Sequence, residues 1–595
     1  MLILRLESRE QISLKTRSGH YNWNSNCLHK IMRLQPDKLK KAAPTGKGKI
    51  IASVILIFAL AGIGGGIAYW NTYKKQIIRN KLKDTIDEKT QGLYTLNYDD
   101  LNMNEVAGYL SISNINLAYD SVKYNTSLKR NDAPPILLTI KIPSISVSGV
   151  KTPRALLSKE IVGKKIHIKD PVINIIYTNA GRDSSKNVPG KEIYEQVLGD
   201  LNMIKVDTVE ISGAQITTSN LKTGKKYIQF LNTFIRLTDV AIDSASAEDK
   251  SRLLFSKQIF LACEKFSWSS KNKLYNYSAD SISLNTASSS VQVQRFLVDP
   301  TLKEDAFVKS LPTQDDRFDF SISNIAIRHV NMPELFNENV IADSITIGSG
   351  SFKIYRDLSI ARDNKSRIGS YPHQVIAKIP IPVKTKKIIL ANTFVEYKEK
   401  NPRSNQAGKV QFHDVSATIT NLTNNKDAIT ENNIMTADIS AKFLNQAPLK
   451  TNWQFYLLHP KGRFDVKGEL GSMTLQNVNP VTEPMGPAKI EQGQLNNLHF
   501  NLSGNDYGMN GTVKMLYDDL KISILERDKG SKELDKKTLA TIAANIIIKN
   551  SNPTRKKDEP RIIEIQMERD THRSIFYLLW KSLFKGIKET AGLKK

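Results

Sequence analysis

Three pairs of adjacent acids, Asp99–Asp100, Asp315–Asp316 and Asp518–Asp519, are where acid–base or metal chemistry would first be sought in this chain. General acid–base catalysis needs groups that converge on one reacting atom. Neighbours on a strand point to opposite faces instead, so these pairs read as turn residues. The nine histidines are scattered, and no HExxH, CxxC, GxSxG, P-loop or GxGxxG arrangement accompanies them. Cys27 and Cys263 stand alone, outside any metal-type spacing. N-x-S/T triplets, such as those at Asn125, Asn276, Asn421, Asn501 and Asn510, are expected by chance in a chain so rich in Asn and Ser. The residues point to no enzyme, no metal and no cofactor. Function has to come from shape and surface.

The formal charge of +26 raises nucleic acid as a partner. Residues 1–49 hold 11 Lys/Arg against 3 Asp/Glu, and residues 555–595 hold 11 against 6. The rest of the excess is dispersed over some 500 residues as a solvated surface. No recognised basic module is present, so nucleic acid is not expected. Charge concentrated at the two ends suits anionic lipid headgroups.

Ile50 to Trp70 reads IIASVILIFALAGIGGGIAYW, an uncharged run stopped by Lys47 and Lys49 on one side and Lys74 and Lys75 on the other. About 20 such residues span a hydrocarbon core of about 30 Å. Ile57 and Phe58 sit at its centre, and Tyr69 and Trp70 at the edge where aromatic rings favour the headgroup layer. With no A-x-A site after it, the run reads as a retained anchor. The basic lead places the N-terminus in the cytoplasm, and the body of the chain on the far side. The two cysteines fall on opposite sides of the span and cannot pair. Gly62 and Gly66 form a GxxxG pair that could bring two anchors together, which leaves the oligomer open. Residues 1–31 differ in character from the lead that begins at Met32, as an over-called start codon would produce.

Residues 72–92 have helical spacing, with Ile77, Ile78, Leu82 and Ile86 on one side. After Tyr94 the apolar period becomes two and stays so. Leu110 and Ile112, then Ile115 and Leu117, alternate with Ser and Asn. Leu138, Ile140 and Ile142 follow the same pattern, as do Ile345 with Ile347, and Leu498 with Phe500 and Leu502. Asn-, Ser-, Gly- and Lys-rich turns separate the runs. Short helical patches are expected at Glu192–Leu201 and Met332–Asn337. The fold class is mainly β: an elongated, repeating antiparallel β-groove behind one transmembrane helix. Two internal echoes support repetition. SISNI occurs at Ser111–Ile115 and Ser321–Ile325, and the strand–turn–strand from Val209 resembles that from Ile388.

The end of the chain changes composition again. Phe576, Leu579, Trp580, Leu583, Phe584 and Ile587 fall on one helical stripe, with Lys581, Lys585 and Lys588 elsewhere. Such a basic amphipathic helix lies in a membrane interface or caps the open end of a sheet. Both readings stand.

These residues resemble the AsmA-like proteins of diderm bacteria, a family related to TamB and YhdP. The likeness is clearest from Phe464–Asp465–Val466–Lys467–Gly468–Glu469–Leu470, through Asn479–Pro480 and Glu483–Pro484. It continues in Ile490–Glu491–Gln492–Gly493, Gly504–Asn505–Asp506 and Tyr517–Asp518–Asp519–Leu520. The ending Ile546–Pro553, Arg569–Asp570 and LLWKSLFKGIK is similar to a Bacteroidetes-type subgroup. The division expected is a basic lead (1–49), the anchor (50–70) and a membrane-proximal helix (72–92). Two β-groove modules (95–310 and 311–450) follow, then an AsmA-like C-terminal module (451–570) and the amphipathic helix (571–595).

The resemblance implies a periplasmic trough anchored in the inner membrane, with phospholipids as partners and envelope proteins at the outer membrane as further candidates. It implies a lipid conduit or an outer-membrane assembly and integrity factor, holding acyl chains in a groove lined by Leu138, Ile140, Ile142, Ile345, Ile347, Leu498, Phe500 and Leu502. The competing reading is a scaffolding envelope protein with a closed β core and no lipid. Counting about 13 residues per strand and turn gives roughly 35 strands, and at about 4.8 Å between strands a sheet of up to about 170 Å.

Overall fold

Alternating Ile, Val and Phe with Ser, Thr and Lys produces extended chain with one dry and one wet face, and here one sheet carries nearly all of it. The computed structural model describes residues 86–592, apart from 88–89, 105, 151–159, 179–201, 225, 271, 403, 486–487, 527–534, 537–547 and 556. The basic lead, the anchor with Ile50, Ile57, Phe58, Gly62, Gly66, Tyr69 and Trp70, most of the 72–92 helix, and the Glu192–Leu201 patch lie outside the described residues. No helix among the described residues is long and apolar enough to cross a membrane.

Strands β1 (Tyr94–Asn97) and β2 (Leu101–Asn104) both pair with β3 (Tyr109–Tyr119), which pairs with β4 (Ile136–Ser148). β5 (Glu160–Lys169) and β6 (Val172–Tyr177) share the next position. The sheet continues in chain order through β7 (Met203–Asn220), β8 (Lys226–Ile242), β9 (Ser256–Ser269), β10 (Tyr275–Asn285), β11 (Ser290–Pro300), β12 (Arg317–Arg328) and β13 (Val340–Asp357). Then come β14 (Val383–Asn401), β15 (Gln406–Thr423), β16 (Ile434–Phe443), β17 (Ala447–Tyr456), and β18 (Phe464–Leu470) with β19 (Met473–Thr474). β20 (Ala488–Gly504) and β21 (Gly508–Glu526) follow; β22 (Asp535–Lys536) pairs only with the end of β21, and β23 (Ile562–Glu568) forms the edge. Helices are short: α1 (Ser121–Lys129), α2 (Ser244–Glu248), α3 (Glu304–Lys309), α4 (Met332–Phe336), α5 (Pro372–Ala377), α6 (Lys426–Glu431) and α7 (Asn479–Met485). Only α8 (Ile575–Thr590) is long. Its bounds follow from Ser574, whose hydroxyl accepts from the Tyr577 amide, and Gly592 at φ +82°.

The long sheet has 22 strands. Because β1 with β2, β5 with β6, and β18 with β19 share positions, it is nineteen positions across. At about 4.8 Å per position that is about 90 Å, roughly half the upper limit read from the sequence. The strands are longer than the apolar runs suggested, reaching 19 residues in β14 and β21. The sheet is also not wholly antiparallel: β5 and β6 run parallel to β7, and β13 to β14. Parallel neighbours need a crossover rather than a tight turn; between β13 and β14 that crossover carries α5. The expected module borders do not coincide with breaks in the sheet, and the 450/451 border falls inside β17.

Candidate functional site

Across the middle of the sheet runs a line of residues in the left-handed region. Asn114 (φ +50°), Gly213 (+66°), Asn232 (+47°), Ser281 (+50°), Asn324 (+55°), Asn392 (+45°) and Asp414 (+50°) lie at matching levels of β3, β7, β8, β10, β12, β14 and β15. Gly, Asn and Asp tolerate this conformation best. Each one lets the alternation slip by a residue, so apolar side chains three apart share a face. Examples are Ile112 with Ile115, Ala279 with Ile282, and Ile322 with Ile325. A left-handed residue turns its strand while the register on either side is kept, and such turns aligned across neighbouring strands crease the whole sheet. Both SISNI segments place their Asn here, and Gly213 and Asn392 occupy the same place in the longer echo. The repeats are repeats of the crease.

A second crease passes through Asp239 (φ +52°) on β8, His329 (φ +51°) after β12, Asp343 on β13, Lys386 on β14 and Asn421 (φ +57°) on β15. Both creases are polar on the outer face. Asn232 donates to Glu264 at 2.9 Å and Gln294 to Asn324 at 3.0 Å along the first. Along the second, Asp343 holds Lys386 at 2.7 Å and His329 at 3.4 Å. Six residues separate the creases on β8 and on β15, a floor of about 20 Å at about 3.3 Å per residue.

The inner face of this floor is an unbroken apolar row. Ile112, Ile145, Ile168, Ile211, Ile235 and Leu261 stand in register from β3 to β9. Leu284, Val291, Ile327, Ile345, Ile388 and Ile419 carry it through β10 to β15. Ala437, Trp453, Val466 and Leu502 extend it to β20. Beyond the first crease a second row forms a wall richer in aromatic rings, including Trp268, Tyr277, Phe320, Phe352 and Phe412. Trp268 stacks on Tyr277 with centroids 4.8 Å apart, and Phe320 meets Phe352 at 5.0 Å.

Along this trough the burial changes. From β3 to β9 most of the inner face is dry: Ile140, Ile142, Ile166, Ile175 and Ile204 are buried in one cluster, with Leu138, Ile211 and Ile235 packed half-buried against it. From β10 to β14 the floor is half-buried: Leu284, Val291 and Ile327 pack against Val330 and against Met332 and Leu335 of α4, whereas Ile345 and Ile347 belong to an open stretch that joins no buried cluster among the described residues. From β16 onward the interior is filled again. Tyr371 and Ile376, around α5, and Ile575 and Leu578 of α8 pack on Trp453, Phe455, Phe464, Leu498, Phe500 and Leu502. So the eight groove positions named from sequence do not line one cavity. Leu138, Ile140 and Ile142 lie in the closed first stretch, Ile345 and Ile347 in the open one, and Leu498, Phe500 and Leu502 under a plug.

The plug is pinned by buried polar groups. Arg569 meets Asp506 at 2.7 Å, donates to the Arg367 carbonyl at 2.7 Å, and lies over the Tyr371 ring at 4.2 Å. Gln374 also donates to Asp506, at 2.6 Å. His373 is buried beside Phe455, neither ring nitrogen has a hydrogen-bond partner, and burial pushes its pKa down to about 4. Sequence reading missed this latch, because Arg367 and Tyr371 lie more than a hundred residues before Asp506 and Arg569; the Arg569–Asp570 and Asn505–Asp506 pairs were its visible trace.

The terminal helix seats on the sheet through Ile575, Leu578, Ser582 and Gly586, not through Trp580 and Phe584 as the capping alternative expected. Gly586 permits the approach, since a Cβ there would meet Val513 at 2.7 Å. Leu579, Leu583 and Ile587 flank this contact, while Phe576, Trp580 and Phe584 are exposed by 59%, 44% and 39%. Lys581 lies on the exposed side, and Lys585 donates to the Gln566 carbonyl at 3.1 Å.

The acid pairs also find their places. Asp99 and Asp100 lie in the turn before β2, and Asp316 forms a two-pronged ion pair with Arg356 at 2.7 and 2.8 Å. Asp518 and Asp519 are not turn residues: they sit within β21, where Asp519 at φ +54° makes the bulge that lets both Tyr517 and Leu520 face inward. Among the described residues no three His, Cys, Asp or Glu side chains cluster as a metal site would require. The chain matches no protein-family model and no curated protein.

Proposed function

We propose that the chain is an AsmA-like, membrane-anchored envelope protein whose creased trough holds the acyl chains of phospholipids. In this reading it sits in the inner membrane with its N-terminus cytoplasmic and its β body periplasmic. There it serves as a lipid conduit or as an outer-membrane assembly and integrity factor. The observation that carries the reading is the unbroken apolar floor row, half-buried from β10 to β14, where α4 packs on Leu284, Val291 and Ile327 while Ile345 and Ile388 join no buried cluster among the described residues. Exposed contiguous apolar surface of this kind marks a binding site. Acyl chains suit it because burial is non-directional and asks for no polar partner. The floor is wide enough for a chain of about 15 Å, half of a hydrocarbon core of about 30 Å. No step of this function needs a catalytic residue.

The test is site-specific photocrosslinking in cells expressing the full chain, with the photoreactive side chain at Ile345 or Ile388 and, as control, at Asn324 on the outer crease. Mass spectrometry should find phospholipid attached at the first two and not at the third. Absence of lipid at both floor positions would refute the reading.

The second reading, a scaffolding β protein without lipid, is favoured by the dry interior of β3 to β9 and the plug beyond β16. It predicts protein adducts rather than lipid adducts at Ile345 and Ile388.

A further inference from the structure

We infer that the outward face of α8 is a contact surface for an anionic lipid bilayer. The helix is committed on one side only. Ile575, Leu578, Ser582 and Gly586 seat it on β21 and β23, and the other side carries Phe576, Trp580 and Phe584 four residues apart, in one line. Trp580 and Phe584 stack with centroids 6.1 Å apart, so the line is a continuous aromatic ridge. Solitary exposed apolar residues are ordinary, whereas three large rings in a row are not.

Charge names the occupant. Lys581, Lys585 and Lys588 border the ridge, with Lys588 5.5 Å from the Phe584 ring centre and Lys581 5.5 Å from that of Tyr577. The one acid of α8, Glu589, lies 4.0 Å from Lys585 and leaves the other two lysines uncompensated on the helix. Glu564 and Glu568 of β23 alternate to the sheet face opposite Ile563, Ile565 and Met567, which pack toward α8. Aromatic rings at headgroup depth with lysines reaching phosphate is how an interfacial helix binds. A protein partner with an acidic rim would be the alternative occupant, but Trp and Phe beside Lys on a single helix, with few neighbouring polar acceptors, favour lipid.

This surface is independent of what the trough carries. The experiment uses the full chain reconstituted in phosphatidylcholine vesicles and measures capture of separately labelled vesicles, made either of phosphatidylcholine alone or with added phosphatidylglycerol. Capture should require phosphatidylglycerol and weaken as salt shortens the Debye length. The double variant Lys581→Gln/Lys588→Gln should lower it about 25-fold, near fivefold per lysine, while Lys467→Gln on β18, outside α8, leaves it unchanged. Trp580→Ser/Phe584→Ser should lower it further without lowering the melting temperature, since these two exposed rings stack on each other. Equal capture of both vesicle types, equal loss with Lys467→Gln, or no capture by the parent chain would each overturn the inference, the last in favour of a protein partner.

Discussion

Arg569 and Asp506 meet at 2.7 Å with side chains 1% and 3% exposed, a fully buried ion pair joining the strand β23 exit to the β20–β21 turn. It holds the α5 crossover by way of the Arg367 carbonyl and the Tyr371 ring. Because β13 and β14 are parallel, that crossover had to pass over the sheet, and the ion pair fixes where it comes to rest.

Removing one partner of such a pair leaves an uncompensated buried charge, which costs about 3–5 kcal/mol. Arg569→Met should lose that much in chemical denaturation of the full chain, and Arg569→Met/Asp506→Leu should recover a large part. A loss below about 1 kcal/mol for the single variant would show that water reaches the pair.

His373 makes stability depend on pH. Unfolded, it titrates near 6.5; folded, burial outweighs the Asp506 carboxylate and holds it at about 4. Above about pH 6.5 both states are neutral. As pH falls from there toward 4, the unfolded chain takes a proton that the folded chain refuses, so stability drops. Between pH 7.5 and pH 5 the drop should be about 2 kcal/mol, and His373→Leu should flatten that part of the profile. An unchanged profile in the leucine variant would rule out this histidine as its source.

The crease can be tested at Asn324 and Gly348, which face each other across β12 and β13. Asn324→Val puts a β-branched residue at φ +55°, at a cost of about 1–2 kcal/mol, whereas Asn324→Gly should be nearly neutral. Gly348→Ala should also destabilise, because its Cβ would fall 2.9 Å from that of Asn324. Thermal unfolding of the three variants gives the order; a valine variant as stable as the glycine one contradicts the left-handed assignment.

Ile166 and Ile345 lie on the same inner face, yet one is fully buried and the other half-buried. Ile166→Ala should cost about 2–5 kcal/mol as a core deletion. Ile345→Asp should leave the fold intact by circular dichroism and reduce phospholipid attachment at Ile388. If Ile345→Asp unfolds the chain as Ile166→Ala does, the middle of the trough is core rather than site.

What could be read in the chain beforehand was periodicity. Alternation along Leu138–Ile142 or Leu498–Leu502 has one structural meaning, a strand with one apolar face, because side chains on extended backbone repeat every two residues. The repeats were visible for the same reason. Dividing the chain by a short strand-and-turn length overcounts the strands, because a left-handed residue such as Asn114 lets one strand run on through the slip from Ile112 to Ile115.

Only the tertiary structure decided the rest. A left-handed Asn is a local event in one strand; it becomes a crease when the neighbours' Asn, Gly, Ser and Asp align beside it, and register between strands is not written in any one of them. The terminal helix shows the same limit. Ile575 to Ile587 is apolar around more than half its circumference, so several stripes are possible, and the close approach of Gly586 to Val513 selects the one that is buried. Whether an apolar strand face ends as dry core, open floor or seat for a plug depends on what lies opposite it. That partner is set by contacts such as Arg569–Asp506, between residues that are far apart in sequence.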